Sequence, residues 1–201
     1  MKFNKAAMFG LDARIALAIF GALSVISGAA LYSAIQESKA VALLADLREV
    51  GKSWEQYYLD TGSPYLSEIN ANGVHLKIAN FITSPSGLNT WKGPYVSYSK
   101  DNDYTLAYPP YDNMRVDLFS TDNPWGNATS PMSSLVGKCT AGSSCFLWVT
   151  AYFINNDSML NKIDSMVDGG DGFDSGNFRV YTADVRGDYI YLNISPVINP
   201  N

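Results

Sequence analysis

The hydrophobic pattern of this chain is dominated by one uncharged apolar run, Ile15 to Ile35, which lies between Arg14 and Glu37. A helix needs about 20 apolar residues to cross a bilayer, and this run has that length. A secretory signal peptide fits less well, because its apolar core is shorter and ends in a small-residue cleavage site. The run therefore predicts a membrane-spanning helix. Its small residues favour close packing against other helices in lipid; they are Gly21, Ala22, Ser24, Ser27, Gly28, Ala29 and Ala30.

The helical pattern continues beyond the apolar run. From Ala40 onwards apolar residues recur at helical spacing and form one stripe, while charged and polar residues fill the opposite face. The stripe consists of Ala40, Leu43, Leu44, Leu47, Val50, Trp54, Tyr57 and Tyr58. A stop signal, Asp60-Thr61-Gly62, follows it. The sequence thus predicts one helix from near Ile15 to Leu59, with its first half in lipid and its second half packed on a soluble core.

Short β-like runs separated by turn residues follow the long helix. The predicted strands are residues 74–78, 95–99, 104–108, 115–120, 146–154, 177–184 and 188–195. Residues 100–103 are predicted to form a turn, and a short amphipathic helix is predicted to begin at Asp157 and to stop at Gly169. Trp125 lies in a turn cluster and is expected to pack on the sheet; a carbohydrate-binding role is the alternative. His75 is expected to be a surface residue or one whose hydrogen bonds are satisfied.

The distribution of charge bears on partners and on orientation. The net charge is −5, and an acidic chain lacks the electrostatic footprint of a nucleic-acid-binding protein, so no nucleic-acid partner is expected. Lys2, Lys5 and Arg14 lie on the N-terminal side of the apolar run, and basic flanks stay in the cytoplasm. The C-terminal domain is therefore predicted to face the periplasm or the cell exterior.

Cys139 and Cys145 are the only cysteines, in the segment CTAGSSC. In an oxidising compartment a small disulfide loop is the natural interpretation, and two free thiols are the alternative. A metal site at these cysteines is not favoured, because His75 is the only histidine and lies far away in the sequence.

A short basic leader, a long apolar helix and an amphipathic continuation resemble the N-terminus of type IV pilins and type II secretion pseudopilins. The segment Leu17 to Leu23, LAIFGAL, resembles the family's IAIIGIL core. That register places Asp12 where the family has its glutamate and implies cleavage by a prepilin peptidase between Ala7 and Met8, with methylation of the new amino terminus. Ala7 stands where the family prefers glycine, and Arg14 stands where the family is apolar. Cleavage between Gly10 and Leu11, or no cleavage, are the alternatives.

Later motifs strengthen the resemblance. WKGPYV and NPWGN, in that order, resemble the GPYL and DPWGNPY segments of the major pseudopilin, and KIDSMVDGGDGFDSGNFRV resembles a D…DDG…SGNVR segment of pilin-like proteins. The resemblance implies an α+β fold in which a long N-terminal helix, transmembrane and then amphipathic, packs on an antiparallel β-sheet. It divides the chain into a leader at residues 1–7, a transmembrane and assembly helix at 8–36, and a periplasmic or extracellular globular domain at 37–201.

The resemblance also implies partners and a location. The chain would be a single-pass protein of a bacterial inner membrane, and would polymerise with copies of itself into a helical filament. The prepilin peptidase, an inner-membrane assembly platform and minor pilins would be its other partners. Asp12 would pair with the amino terminus of a neighbouring subunit during assembly; the alternative is that Asp12 and Arg14 simply lie among lipid headgroups.

Asp168, Asp171 and Asp174 recur at every third residue among glycines. Clustered oxygens on a bendable backbone suit Ca²⁺, which takes 6–8 oxygen ligands. The calcium loop of major pseudopilins points in the same direction. The alternative is a Gly/Asp turn that ends the short helix and begins a strand.

No catalytic constellation is evident in the sequence. A serine nucleophile motif and a phosphate-binding glycine loop with its lysine are both absent. The sequence therefore predicts a non-enzymatic filament subunit, either a pseudopilin or a pilus subunit. The alternative is a singly anchored periplasmic binding or sensor domain that does not polymerise.

Overall fold

A computed structural model describes residues 5–63, 75–122, 125–126, 139–140, 142–184 and 187–197. Its contacts divide the chain into two compact units, which meet between Lys39 and Ala40. The first unit consists of the N-terminal part of the long helix, and the second contains the remainder of that helix and all of the β-structure.

Two α-helices, a short 3₁₀ helix and six strands form the described structure. The long helix α1 spans Lys5–Thr61, the 3₁₀ helix spans Ile78–Phe81, and α2 spans Asp157–Val167. The strands are β1 (Lys100–Asn102), β2 (Thr105–Ala107), β3 (Asn113–Ser120), β4 (Cys145–Ile154), β5 (Phe178–Asp184) and β6 (Gly187–Pro196). They form one antiparallel sheet in the order β1-β2-β3-β4-β6-β5. The predicted α+β class is confirmed, and the arrangement is compatible with a pilin-like fold.

Three of the predicted elements differ from the structure. The run at 95–99 is not a strand, because the backbone of Tyr95 bonds elsewhere: its N–H donates to the Phe81 carbonyl (2.7 Å), and its carbonyl accepts from the Ser53 hydroxyl (2.8 Å). The predicted turn at 100–103 instead begins with strand β1, which pairs with β2. The run at 74–78 is also not a full strand. His75 forms an isolated bridge with Asp117, the chain then enters the 3₁₀ helix, and Val74 lies outside the described residues.

The inner face of the sheet carries the main hydrophobic core. The α1 stripe is buried there from Ala40 to Tyr57, as its helical spacing predicted, and so is one face of α2. Tyr58, the last residue of the predicted stripe, is instead 40% exposed, and its ring stacks on that of Trp54. At Gly51 the helix α1 comes close to β6, because a Cβ at this position would lie 2.8 Å from Ile194 Cδ1. The absence of a side chain at Gly51 is therefore a packing requirement.

The outer face of the sheet carries a smaller aromatic cluster, which contains Phe119, Trp125, Trp148 and Tyr191. Trp125 is fully buried, and its indole N–H donates to the Ser120 carbonyl at 2.8 Å. The Arg179 guanidinium lies over the Trp125 ring at 4.6 Å, in cation–π geometry. Trp125 thus packs on the sheet, as predicted.

Cys139 and Cys145 form the predicted disulfide, with their Cα atoms 5.6 Å apart. Both side chains are buried, and Cys145 is the first residue of β4. The hydroxyl of Ser143 receives the Thr140 N–H at 2.7 Å inside the loop that the disulfide closes. The bridge therefore fastens a surface loop to the edge of the core.

Candidate functional site

The first candidate site is the apolar segment of α1, residues 15–35. Its large side chains are 42–73% exposed in the isolated chain. They are Ile15, Leu17, Ile19, Phe20, Leu23, Val25, Ile26, Leu31, Tyr32 and Ile35. Among the described residues α1 is the one helix long and apolar enough to cross a membrane. An exposed apolar surface this continuous indicates burial in lipid or against other proteins.

The predicted processing and assembly residues lie at the beginning of α1. The helical backbone already includes Ala7 and Met8. Asp12 is exposed and forms no hydrogen bond or ion pair with any described residue. The carboxylate of Asp12 is therefore available to a partner outside the chain, and it lies three residues before the apolar segment.

The second half of α1 is held to the globular unit by polar contacts as well as by its stripe. The Tyr108 hydroxyl donates to the Asp46 carboxylate at 2.5 Å, and burial, with Asp46 adding to it, raises the pKa of Tyr108 far above its ordinary value. At the end of the helix, Lys92 and the Tyr95 hydroxyl donate to Asp60 at 3.1 and 3.0 Å. The hydrogen bond from Lys92 is the main reason why the pKa of Asp60 is lowered.

The second candidate site is a group of three carboxylates at the end of α2. Oxygens of Asp164, Asp168 and Asp171 lie within 4.8 Å of one another. Asp168 and Asp171 belong to the predicted calcium set, whereas Asp164, not Asp174, is the third member of this group. Asp174 instead faces Arg179: burial lowers the pKa of Arg179, and the charge of Asp174 is the largest influence that opposes this.

Asp168 organises the loop that follows α2. Its carboxylate accepts hydrogen bonds from the N–H groups of Asn177 (2.9 Å) and Phe178 (2.6 Å) and from the Asn177 side chain (3.1 Å). Gly176 has φ +69°, and a Cβ there would lie 2.7 Å from Asp168 Cγ, so only glycine fits. These contacts connect the helix end to β5, as the alternative prediction of a Gly/Asp turn requires.

Asp164 has the most unusual environment of the three carboxylates. Its side chain is 4% exposed, and its Oδ1 has no hydrogen-bond partner in the described part of the chain. Its Oδ2 accepts the Gly172 N–H at 3.3 Å. Burial raises the pKa of Asp164, and the charges of Asp171 and Asp168 raise it further. A proton or a cation would relieve this arrangement.

Sequence reasoning missed Asp164, although a signal was present. Asp164 follows Leu160 by four residues, which places an acidic side chain on the apolar face of α2. An acidic residue at such a position is rarely buried without a partner.

Sequence reasoning also missed a buried ionic cluster on the outer face. Asp117 is completely buried and accepts from Arg115 Nε (2.7 Å) and from the Thr150 hydroxyl (2.6 Å). Its other oxygen lies 2.8 Å from His75 Nδ1. Burial alone would raise the pKa of Asp117, but Arg115 and His75 hold it below its ordinary value. His75 is thus a satisfied residue, one of the two outcomes expected for it.

No protein-family model, curated protein or solved structure matches this chain. Function must therefore be inferred from the residues of the chain and from their surroundings.

Proposed function

We propose that this chain is the structural subunit of a type IV pilin-like filament, inserted in a bacterial inner membrane and polymerised through the first part of α1. The observation that carries the proposal is the contrast within one continuous helix. Residues 15–35 expose apolar side chains on every side, whereas residues 40–57 bury one stripe in the folded domain.

The exposed apolar side chains of residues 15–35 must be removed from water by something outside the folded chain. Removing a large aliphatic or aromatic side chain from water is worth about 1.5–3 kcal/mol, and this segment exposes ten such side chains. Lipid would cover them in the monomer. In a filament the same segment of neighbouring copies would cover them, and the small residues from Gly21 to Ala30 would allow the helices to approach closely.

Asp12 would then set the register between neighbouring subunits. A carboxylate in a low-dielectric environment is costly unless it is paired, and Asp12 has no partner among the described residues of its own chain. Cleavage between Ala7 and Met8 would create an amino terminus four residues before Asp12. The amino group of a neighbouring copy would neutralise Asp12 and fix the axial offset between the two helices.

The test is a set of three variants of the full chain in cells that assemble the filament. Asp12→Ala should abolish or strongly reduce filaments and leave a membrane-inserted monomer with its disulfide intact. Asp12→Glu should assemble, because the charge is retained. Glu37→Ala is the matched control: it removes an exposed acid at the other end of the apolar segment and should assemble normally.

Normal filaments from Asp12→Ala would contradict the chosen register and, with it, the cleavage site. A chain that remains monomeric in every variant, and in the unmodified form, would instead favour a singly anchored binding or sensor domain.

A second function, calcium binding at the end of α2, is favoured by the unpartnered buried oxygen of Asp164. We propose that Asp164, Asp168 and Asp171 contribute carboxylate oxygens to one Ca²⁺, which suits a hard cation. Asp168 retains accepting capacity beyond its three hydrogen bonds, because an ionised carboxylate offers about four lone-pair sites. Ca²⁺ would neutralise the carboxylates that otherwise raise the pKa of Asp164.

Thermal unfolding with calcium and with a chelator tests this second function. Saturating calcium, at about 100 times the dissociation constant, should raise the free energy of unfolding by about 2.7 kcal/mol. Asp164→Asn should remove this increment, whereas Asp174→Asn should retain it. Loss of the increment in Asp174→Asn, with its retention in Asp164→Asn, would instead support the set predicted from the sequence. No calcium effect on the unmodified chain would leave the Gly/Asp turn as the whole explanation.

A further inference from the structure

A bulge in β4 builds a small pocket on the outer face of the sheet. Ala151 pairs with Ile190 and Ile154 pairs with Asp188, so two residues of β4, Tyr152 and Phe153, lie opposite the single residue Tyr189. Bulges of this kind redirect side chains and are common next to functional sites.

Phe153 is the residue that the bulge redirects. In regular alternation it would share the inner face with Ala151, but Ile154 takes that place and is fully buried in the core. The Phe153 ring instead lies 5.4 Å from the Tyr189 ring and 5.9 Å from the Tyr152 ring. In this position Phe153 has φ +58°, a backbone conformation that is rare and strained for an aromatic residue.

Gly187 permits the strained backbone. It has φ +137°, and a Cβ there would lie 2.9 Å from the Phe153 carbonyl carbon. The two positions thus fit together only when residue 187 is glycine. The strained backbone at Phe153 brings the rings of Tyr152, Phe153 and Tyr189 together.

The pocket has a volume of about 210 Å³ and is lined by Asp112, Asn113, Arg115, Tyr152, Phe153 and Tyr189. Pockets that bind drug-sized ligands have volumes of about 300–1,000 Å³, so this smaller pocket fits a single small ring. Its walls combine aromatic faces with hydrogen-bonding groups of both kinds, which is the composition of a site for a small polar ligand with apolar faces.

Several polar groups of the wall are available to a ligand. Arg115 uses Nε for Asp117, and its Nη1 lies 3.4 Å from His75 Nε2. Its guanidinium also lies over the Tyr152 ring, 4.7 Å from the ring centroid. Its Nη2 makes no hydrogen bond within the described part of the chain, and neither do the hydroxyls of Tyr152 and Tyr189. The exposed carboxylate of Asp112 accepts one hydrogen bond, from the Asn113 side chain at 3.0 Å.

The charges select the class of ligand. The Arg115 guanidinium is already paired with Asp117 at 2.7 Å, and an anion that approaches it would also meet the Asp112 carboxylate. A cation that approaches Asp112 would meet the guanidinium. A neutral polyhydroxylated ring avoids both repulsions, because each hydroxyl donates to a carboxylate and accepts from a guanidinium or a phenol. Its C–H faces can lie against the rings of Phe153 and Tyr189, since the Tyr152 ring is buried and already covered by the Arg115 guanidinium. We propose that this pocket binds one neutral hexopyranose ring of a glycan.

Saturation-transfer NMR on the full chain tests the proposal. The chain is held in a detergent without a sugar headgroup, and the probes are the methyl glycosides of glucose, galactose, mannose and N-acetylglucosamine. Irradiation of the aromatic protons should transfer saturation to the ring C–H protons of at least one probe, with a dependence on concentration that saturates.

Two variants locate the binding. Phe153→Gly removes a ring but suits the positive φ, so the domain should stay folded, and binding should weaken about tenfold. Asp112→Asn leaves the fold unchanged and should weaken binding by a similar factor. Tyr58→Ala and Asp103→Asn remove an exposed ring and an exposed carboxylate outside the pocket and should not change the affinity.

Three results would overturn the proposal. They are the absence of transfer to all four glycosides, an affinity unchanged in both pocket variants, and binding of sulfate or tetramethylammonium at the pocket without binding of any glycoside. Because none of these measurements involves polymerisation, they are independent of the proposed filament function.

Discussion

The two halves of α1 use similar residues for opposite purposes. Leu23 in the first half is 57% exposed, whereas Leu47 in the second half is fully buried. The first half is apolar on every side, and its large side chains are 42–73% exposed in the isolated chain. The second half is apolar along one stripe only, and one sheet face is enough to bury that stripe.

The polar contacts show the same division. Asp46 and Asp60, in the second half, receive hydrogen bonds from tyrosines of the globular unit. Asp12, before the apolar segment, receives none from any described residue. The domain is thus stabilised by the second half of the helix, whereas the large apolar side chains of the first half stay exposed in the isolated chain. Changes in one half should therefore leave the function of the other intact.

The largest effect is expected from a matched pair of leucines. Leu47→Ala should lower the free energy of unfolding of the globular domain by about 2–5 kcal/mol, because it opens a cavity in the core. Leu23→Ala should change it by less than about 0.5 kcal/mol, since its side chain is not part of that core. Chemical denaturation followed by the near-ultraviolet signal of the buried tryptophans measures both. A similar loss in both variants would show that the two halves are not independent.

A smaller effect is expected at the polar contact between α1 and the sheet. Tyr108→Phe removes the hydroxyl that donates to Asp46 and should cost about 1–2 kcal/mol of unfolding free energy. Tyr98 packs against Tyr108 at 5.9 Å but donates to no described residue, so Tyr98→Phe is the control and should be nearly neutral. Equal effects of the two substitutions would mean that the hydroxyl contact with Asp46 contributes nothing.

The smallest effect is expected in alkaline solution. Burial, and next to it the charges of Asp46 and Glu49, raise the pKa of Tyr98 to about 12. In the unfolded chain a tyrosine has a pKa of about 10. Because Tyr98 ionises less readily in the folded state, its titration leaves the free energy of unfolding unchanged below about pH 10 and lowers it as the pH rises towards 12. Unfolding midpoints should therefore fall across this range, and less steeply in Tyr98→Phe; an unchanged slope would contradict the assignment.

The features that the sequence predicted well were those with a strong local pattern. The apolar run, the stripe from Ala40 to Tyr57 and the continuous strand β4 are each determined by periodicity or by length. The disulfide followed from two cysteines close together in the chain. The error at 95–99 arose because Tyr95 finds its hydrogen-bond partners in distant elements, and no local pattern reports such partners.

The site residues that were missed depend on tertiary contacts. Asp164 and Asp117 are charged residues whose burial becomes evident only when the neighbouring elements are in place. Phe153 belongs to a run that looks like an ordinary buried strand, and the bulge that redirects it arises from the pairing of β4 with β6. Periodicity in the sequence predicts which face of a helix or strand is buried. It does not predict a buried charged residue or a side chain that a bulge turns to the other face.

The central claim, that the first part of α1 is processed and assembled, is tested most directly by the intact mass of the chain in purified filaments. The account predicts a mass that begins at Met8, with or without one methyl group on its amino terminus. Retention of Met1 in assembled material, or the absence of any assembled material that contains this chain, would contradict it.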